Sequence, residues 1–184
     1  RIEKFYPDNT VRLPSFVIPE GVNEDDALSQ MSLVGIQSIR GNNVTPQYLT
    51  RLDEELGIIK DRGFSRYFLT MKAIADKATS IQLAGPSRGS AGGSLVAYAL
   101  GITQVDPIKY GLLFSRFLRS DATDYPDIDY DVSDPFTLKE LLIKEWGEDN
   151  VVPISNWNTL QLRSLIKDIS KLYDIPFQEV NQVT

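Results

Sequence analysis

The spacing of apolar and polar residues predicts two helices in the first third of the chain. The first is expected between Asn23, whose side chain can cap a helix, and Gly41, a residue type that commonly ends one. The second is expected between Pro46, which is favoured in a first helical turn, and Gly63. An apolar stripe at helical spacing indicates that one face of this second helix is buried. The stripe consists of Leu49, Leu52, Leu56 and Ile59.

Short apolar runs in the middle of the chain predict strands. Residues 67–77 indicate a strand that turns into a helix, and residues 81–84 indicate a short strand. The apolar run 95–100 predicts a short buried helix. Residues 112–118 predict a buried strand that carries one cation, Arg116. Because an unpaired buried cation is costly, Arg116 needs an anionic partner, either a neighbouring carboxylate or the phosphates of a ligand.

The last third of the chain is predicted to be mainly helical. A helix is expected between Asp134, a good capping residue, and Gly147. A strand is expected over residues 151–154, followed by an amphipathic helix over residues 158–172.

Carboxylates alternate with apolar residues over residues 125–132. In a β-strand successive side chains point to opposite faces, so the acidic residues are expected to share one face. Like charges on one face repel each other, and a hard divalent cation such as Mg²⁺ relieves that repulsion by taking carboxylate oxygens as ligands. A solvated edge strand or an acidic turn is the alternative. The candidate metal ligands are Asp127, Asp129 and Asp131.

A loop rich in glycine and serine, residues 85–94, precedes the short helix predicted at 95–100. Glycine lets the backbone approach a ligand closely, and the start of a helix presents N–H groups to an anion. The sequence therefore favours an anion-binding loop, with a flexible linker as the alternative. The loop matches neither a Walker A motif nor a dinucleotide fingerprint.

Composition narrows the possible classes of function. The chain has 184 residues, enough for one good core, and no apolar run long enough for a membrane helix. It contains no cysteine and no histidine, which excludes disulfides, zinc–thiolate sites and histidine-based catalysis within it. The formal net charge of −6 does not suit a domain that binds nucleic acid by itself, because phosphate contacts need a cationic surface.

The order of these motifs resembles the C-family DNA polymerases, the family of the bacterial replicative DNA polymerase III alpha subunit. Residues 85–98 resemble the glycine-serine motif of that family, and residues 101–118 continue the match. Residues 126–131 resemble its acidic signature, and residues 146–151 resemble the piece that follows one helix later. The strong resemblance covers residues 63–151.

Some positions depart from the family pattern. The family usually has Asn-Pro-Glu-Arg where this chain has residues 119–122, and a phenylalanine where this chain has Val132. Residues 157–160 replace the family's Phe-Gly-Thr-Met. These changes suggest a divergent member, such as a phage-encoded enzyme, of which this chain is a fragment.

The resemblance implies an α/β fold, namely a polymerase-beta-like nucleotidyltransferase palm with a mixed sheet and flanking helices, followed by a partial helical thumb. The implied organisation is an extended segment over residues 1–22, the palm over 23–156 and the start of the thumb over 157–184. The family's third catalytic aspartate and its fingers would lie beyond residue 184. The isolated chain is therefore expected to be inactive.

The resemblance also implies roles for individual residues. Asp127 and Asp129 match the catalytic, metal-binding aspartates of the family, and Asp131 is a third candidate metal ligand on the same segment. The implied nucleotide-binding residues are Gly89, Ser90 and Arg116. The implied cofactors are two Mg²⁺ ions, for which Mn²⁺ can substitute.

The implied function is two-metal transfer of a nucleotide from a dNTP to a primer 3′-hydroxyl by a template-directed DNA polymerase. The implied partners are primer-template DNA, dNTP, the remaining fingers and thumb domains and a sliding clamp. The implied location is the cytoplasm of a bacterium or of a phage-infected bacterial cell, with no membrane partner. Two alternatives stay open: a template-independent nucleotidyltransferase, and a non-catalytic scaffold fragment of a split polymerase or replisome.

Overall fold

The computed structural model describes residues 21–184 except residues 158 and 160. Its helices are α1 (Glu24–Arg40), α2 (Pro46–Asp61), α3 (Ser65–Ile81), α4 (Leu95–Ala99), α5 (Pro135–Trp146), α6 (Leu162–Leu172) and α7 (Phe177–Val183). Short 3-10 turns occur at Gly41–Asn43, Gly89–Gly93, Phe114–Arg116 and Glu148–Asn150. The chain divides into two compact units, one that ends at Val151 and one that spans Val152–Thr184. Most of the extended segment predicted for residues 1–22 lies outside the described residues.

The helix ends predicted from the sequence are confirmed in α1 and α5. The side chain of Asn23 accepts hydrogen bonds from two N–H groups of the first turn of α1, at 2.9 and 3.1 Å. Asp134 does the same for the first turn of α5. Both helices stop at a glycine with positive φ, Gly41 and Gly147 respectively. The capping residue before each helix and the glycine after it therefore determine where α1 and α5 begin and end.

The predicted α/β fold with a mixed sheet is wrong, because the described residues contain no strand. Residues 67–77 belong to α3, and residues 112–118 contain the 3-10 turn and irregular backbone. Residues 151–154 are irregular as well. Residues 81–84 contribute one isolated antiparallel bridge, from Ala84 to Val132.

Helix α3 explains why the strands were predicted and did not form. A short apolar run does not distinguish a buried helix from a buried strand by periodicity alone. In α3 the buried apolar residues recur at helical spacing and join the core. They are Phe68, Leu69, Ala75 and Ala78. A helix therefore occupies the place where the sequence suggested the beginning of a sheet.

Helix α4 lies at the centre of the first unit. Its residues Leu95, Val96 and Ala97 are fully buried, and both α1 and α2 pack against it. Helix α1 approaches so closely that a Cβ atom on Gly35 would lie 1.9 Å from the carbonyl oxygen of Ala99. Glycine is thus required at position 35 by the packing of α1 on α4.

The side chain of Glu55 in α2 caps the buried start of α4. Its carboxylate accepts hydrogen bonds from the N–H groups of Leu95 and Val96 and from the hydroxyl of Ser94, each at 3.0 Å. Arg51, one turn earlier in α2, donates from Nε to the same carboxylate at 2.6 Å. Burial raises the pKa of the Glu55 carboxyl above its usual range, while these N–H donors oppose that rise.

Arg51 also connects α2 to two irregular segments. Its Nη2 donates to the carbonyl oxygens of Gly93 at 2.9 Å and of Leu112 at 3.2 Å. Gly93 ends the glycine-rich turn, and Leu112 precedes the turn Phe114–Arg116. One guanidinium therefore holds both turns against the same helix.

A second buried carboxylate, that of Asp106, fixes the segment after α4. Its Oδ2 accepts hydrogen bonds from Nη1 of Arg40 and from the hydroxyl of Tyr48, both at 2.6 Å. Its Oδ1 accepts from the N–H groups of Ile108 and Lys109. Burial, together with the hydrogen bond to Asp106, raises the pKa of the Tyr48 phenol to about 12.

The second unit contains α6 and α7, which pack against each other. The helix predicted over residues 158–172 is confirmed as α6 from Leu162 onward. Nζ of Lys167 lies 5.2 Å from the centre of the Phe177 ring, a distance suited to a cation–π contact. In the described part of the chain, no helix combines the length and the apolar character needed to cross a bilayer.

We expect Glu55→Gln to lower the free energy of unfolding by about 3 kcal/mol, because an amide N–H group would then face donors that now bind a carboxylate. Urea denaturation of the 184-residue chain measures this loss. Glu54→Gln is the matched control, since Glu54 is the preceding residue of α2 and is exposed. Equal stability of the two variants would contradict the capping role of Glu55.

Candidate functional site

The acidic segment, residues 125–132, lies on helix α3. The ring of Tyr125 packs against the rings of Phe64 and Tyr67, with centroids 4.8 and 5.4 Å apart. Ile128 is buried in the same core. The hydroxyl of Tyr130 donates to the carbonyl oxygen of Ala75 in α3 at 3.4 Å. Aromatic and apolar contacts thus hold this segment against helix α3 without a sheet.

The alternation predicted from the sequence is present in this segment. Pro126 and Ile128 are buried, whereas the carboxylates between and after them are exposed. The exposed carboxylates are those of Asp127, Asp129 and Asp131. An extended backbone sends alternate side chains to opposite sides whether or not it pairs with another strand. Packing of one side on α3 therefore leaves the acidic side open to solvent.

The glycine-rich loop, residues 85–94, lies alongside the acidic side of this segment. The N–H group of Gly85 donates to the carbonyl oxygen of Asp131 at 2.8 Å. Nη1 of Arg88 lies 3.0 Å from Oδ1 of Asp131. Gly89 lies next to the carboxylate of Asp129. The two motifs that the sequence singled out are therefore adjacent in space, although some 40 residues separate them in the chain.

Gly89 makes the closest approach between the loop and the acidic segment. A Cβ atom at this position would lie 2.4 Å from Oδ2 of Asp129, far inside van der Waals contact. The φ angle of Gly89 is also +63°, a conformation that side chains disfavour. The backbone conformation thus favours glycine here, and any larger residue would displace the exposed carboxylate of Asp129. Ser90, the next residue, is exposed beside this contact.

The sequence argument that α4 offers free N–H groups to an anion is wrong. The N–H groups of Leu95 and Val96 are bonded to Glu55, and that of Ala97 is bonded to the hydroxyl of Ser94 at 3.1 Å. An internal carboxylate thus already neutralises the start of α4. An anion could meet the exposed backbone and hydroxyl groups of the loop instead, ahead of this helix.

Sequence reasoning missed the supporting pair Arg51 and Glu55. The signal was a carboxylate at position 55, at helical spacing from Leu52 and Ile59 on the buried face of α2. A charged residue on an apolar stripe needs a buried partner. Here the partners are the Arg51 guanidinium and the start of α4.

Arg116 lies at the end of the turn Phe114–Arg116, and its side chain is exposed. The expectation that it sits in a buried strand is wrong, so burial does not oblige it to find an anionic partner. The turn packs against the glycine-rich turn Gly89–Gly93. At their contact, a Cβ atom on Gly93 would lie 2.6 Å from the carbonyl oxygen of Leu113. Arg116 therefore belongs to a turn that contacts the glycine-rich loop.

The charge of Asp127 acts on Tyr67, one of the aromatic residues of α3 that contact the acidic segment. Burial raises the pKa of the Tyr67 phenol, and the charge of Asp127 adds to that rise, whereas a hydrogen bond with the backbone of Ile128 opposes it. Asp127 therefore influences the ring of Tyr67, which packs against Tyr125 of the same segment.

The carboxylates of this segment suit a hard cation by their chemistry, since Mg²⁺ binds oxygen ligands. Within the residues that the structure describes, however, no three acidic, histidine or cysteine side chains converge to form a complete metal site. Mg²⁺ commonly takes one or two protein carboxylates and completes its shell with water and substrate phosphates. Asp127 and Asp129 fit a site of that incomplete kind.

The chain is similar to one known family of proteins. The family model described as the bacterial DNA polymerase III alpha NTPase domain matches residues 26–184. The chain is 34% identical over 186 residues to DNA polymerase III subunit alpha of Aquifex aeolicus, and 39% identical over 180 residues to that of Bacillus subtilis. It is 38% identical over 178 residues to that of Borreliella burgdorferi.

These similarities cover 98%, 94% and 94% of this chain but 16%, 16% and 15% of the respective relatives. The chain thus spans about a sixth of the length of the curated relatives that it matches. The similarity includes both the glycine-rich loop and the acidic segment.

We expect Gly89→Ala to weaken Mn²⁺ binding to the chain, because the added Cβ forces the carboxylate of Asp129 out of its position. Gly111→Ala is the matched control: Gly111 has nearly the same φ, +64°, but an added Cβ meets nothing within 4 Å. Both variants should lose about 1 kcal/mol of stability from left-handed backbone. Water-proton relaxation enhancement measures Mn²⁺ binding, and equal binding by the two variants would contradict a role for the Gly89–Asp129 contact.

Proposed function

The chain belongs to the bacterial DNA polymerase III alpha family, and on this premise we propose that it carries the nucleotidyl-transfer site of a template-directed DNA polymerase. The reaction is attack of a primer 3′-hydroxyl on the α-phosphate of a dNTP, with pyrophosphate as the leaving group. The full-length protein performs it, and the isolated chain is inactive.

Asp127 and Asp129 hold two Mg²⁺ ions in this proposal, and Asp131 is the third acidic residue on the same side of the segment. When bound, the ions would lower the pKa of the primer hydroxyl and offset charge on the phosphates. The two aspartates would place that charge opposite the loop, where the triphosphate arrives. Their exposure leaves room for water and phosphate oxygens to complete the metal shells.

The glycine-rich loop receives the triphosphate in this proposal. Gly89 lets the backbone approach the phosphates, and the exposed Ser90 offers a hydroxyl. Arg116, exposed on the turn that packs against the loop, adds a guanidinium that can bind phosphate oxygens. These groups stabilise charge that develops during transfer, which is the main contribution of a protein to phosphoryl chemistry.

The observation that chiefly supports this proposal is the contact between Gly89 and the Asp129 carboxylate. Phosphoryl transfer with metal ions needs a phosphate-binding loop and metal-binding carboxylates within a few ångströms of each other. The Gly89–Asp129 contact supplies this proximity, since it brings the backbone of the loop against one of the two proposed metal-binding carboxylates.

The proposed partners are primer-template DNA, dNTP and the further domains of the polymerase, including fingers and thumb, with a sliding clamp as an accessory partner. We assign residues 23–156 to the catalytic domain and residues 157–184 to the start of the thumb. The net charge of −6 indicates that most contacts with the DNA backbone are made elsewhere in the longer protein. The proposed location is the bacterial cytoplasm, where replication takes place.

We expect the chain to bind Mn²⁺ weakly, because two carboxylates leave most of the metal shell to water in the absence of nucleotide. The double variant Asp127→Asn with Asp129→Asn should abolish this binding. Relaxation enhancement during a Mn²⁺ titration measures it. The pair Glu148→Gln with Asp149→Asn provides a control of equal charge change on exposed residues outside the site. Unchanged binding in the first pair would remove the metal assignment.

We expect Ser90→Ala in the full-length polymerase to reduce the efficiency of nucleotide incorporation. Loss of one hydrogen bond to a charged group costs about 1.5–3 kcal/mol, or roughly a tenfold to hundredfold loss. Asp129→Asn should be far more damaging. Single-turnover incorporation at limiting dNTP measures both, and thermal melting checks the fold.

Ser38→Ala is the control for the hydroxyl, since Ser38 is exposed on α1. The 184-residue chain alone should not extend a primer. Normal incorporation by the Ser90→Ala enzyme would overturn the assignment of the loop, and normal incorporation by the Asp129→Asn enzyme would overturn the proposed function.

A further inference from the structure

Asp131 differs from the other two acidic residues in its surroundings. Its Oδ1 forms an ion pair with Nη1 of Arg88 at 3.0 Å. Its carbonyl oxygen accepts a hydrogen bond from the N–H group of Gly85 at 2.8 Å. A Cβ atom on Gly85 would lie 3.1 Å from the Cβ atom of Asp131. The glycine-rich loop thus contacts both the backbone of Asp131, through Gly85, and its side chain, through Arg88.

The ion pair lies directly beside the proposed phosphate-binding residues. Arg88 precedes Gly89, and Gly89 faces the carboxylate of Asp129. The loop therefore contacts two of the acidic residues. Arg88 forms an ion pair with Asp131, and the backbone of Gly89 lies against the carboxylate of Asp129. Because Arg88 and Gly89 are consecutive, the ion pair of Arg88 restricts where the backbone of Gly89 lies relative to Asp129.

We propose that Asp131 is the anchor of Arg88 and not a metal ligand, and that this ion pair positions the loop over Asp127 and Asp129. The inference rests on the proposed function and deepens it, since it assigns separate roles to the three carboxylates. Asp127 and Asp129 hold the ions. Asp131 and Arg88 are positioning residues that act through Gly89 and its neighbour in the loop.

Charge supports this division of roles. Adjacent like charges on one side of an extended segment repel one another. The guanidinium of Arg88 offsets chiefly the charge of Asp131, at the end of the row, and to a smaller extent that of Asp129. The pair is also exposed, at 64% for Arg88 and 54% for Asp131. An exposed ion pair contributes little to stability, so its effect should lie in the geometry of the loop.

The geometry of the contact predicts which substitution of Arg88 is tolerated. The ion pair uses one nitrogen and one oxygen, Nη1 and Oδ1, and not the two parallel bonds of a guanidinium fork. Lysine can make a single contact of this kind. Arg88→Lys should therefore keep most of the positioning effect. If Arg88 instead bound a phosphate through two nitrogens, lysine would replace it poorly.

A double-mutant cycle in the full-length polymerase tests the inference. The variants are Arg88→Gln, Asp131→Asn and their combination, and the measurements are kcat and KM for dNTP incorporation. Each single variant should raise KM about twofold to fivefold, the change that corresponds to an exposed ion pair, with kcat nearly unchanged. Because the two residues act as a unit, the combination should be no worse than the poorer single variant. Arg88→Lys should restore a KM near that of the unaltered enzyme.

The control pair is Lys72→Gln with Asp76→Asn, which removes an exposed ion pair on α3 and should leave KM unchanged. Losses that multiply in the combined variant would show that Arg88 and Asp131 act separately and would overturn the inference. A collapse of kcat in Asp131→Asn as severe as that in Asp129→Asn would also overturn it, because Asp131 would then be a metal ligand. Normal incorporation by Asp129→Asn, in contrast, would remove the proposed function itself.

Discussion

The carboxylate of Glu55 is the interaction on which the arrangement of the first unit depends. It is fully buried, and it receives the N–H groups that begin α4, the hydroxyl of Ser94 and the Nε of Arg51. Arg51 in turn holds the carbonyl oxygens of Gly93 and Leu112. Because a buried carboxylate without these donors would strongly destabilise the protein, Glu55 and Arg51 tie α2, α4 and both adjoining turns together.

This body supplies one side of the site, and helix α3 supplies the other. The acidic segment needs only one apolar side to be covered, and Tyr125, Ile128 and Tyr130 provide the contacts that cover it. The carboxylates then face outward by the alternation of an extended chain. The loop closes against them through Arg88 and Gly89. The site is thus assembled from irregular backbone held between helices, and not from a sheet.

Features that depend on residues close together in the chain, such as helix ends, could be predicted from the sequence. Asn23 marks the start of α1 because its side chain bonds the first turn, and the acidic residues share a side because extended backbone alternates. The mixed sheet could not be excluded, since residues 67–77 carry an apolar run that fits a strand or a helix equally. A special role of Glu55 could be inferred from its charge between Leu52 and Ile59 on a buried stripe, but its partners at the start of α4 lie some 40 residues away. Contacts of that range depend on packing, which no local pattern encodes.

The close approach of Gly89 to Asp129 has a consequence for how this protein can change over evolutionary time. Every replacement at position 89 adds at least a Cβ atom, and the nearest atom it meets belongs to a residue with a proposed role in the chemistry. Any substitution at this position therefore both strains the backbone, whose φ is +63°, and displaces the Asp129 carboxylate. Substitutions at the exposed neighbour Ser90 have neither consequence, so under the proposed function we expect changes in nucleotide binding by the loop to arise there more readily than at position 89.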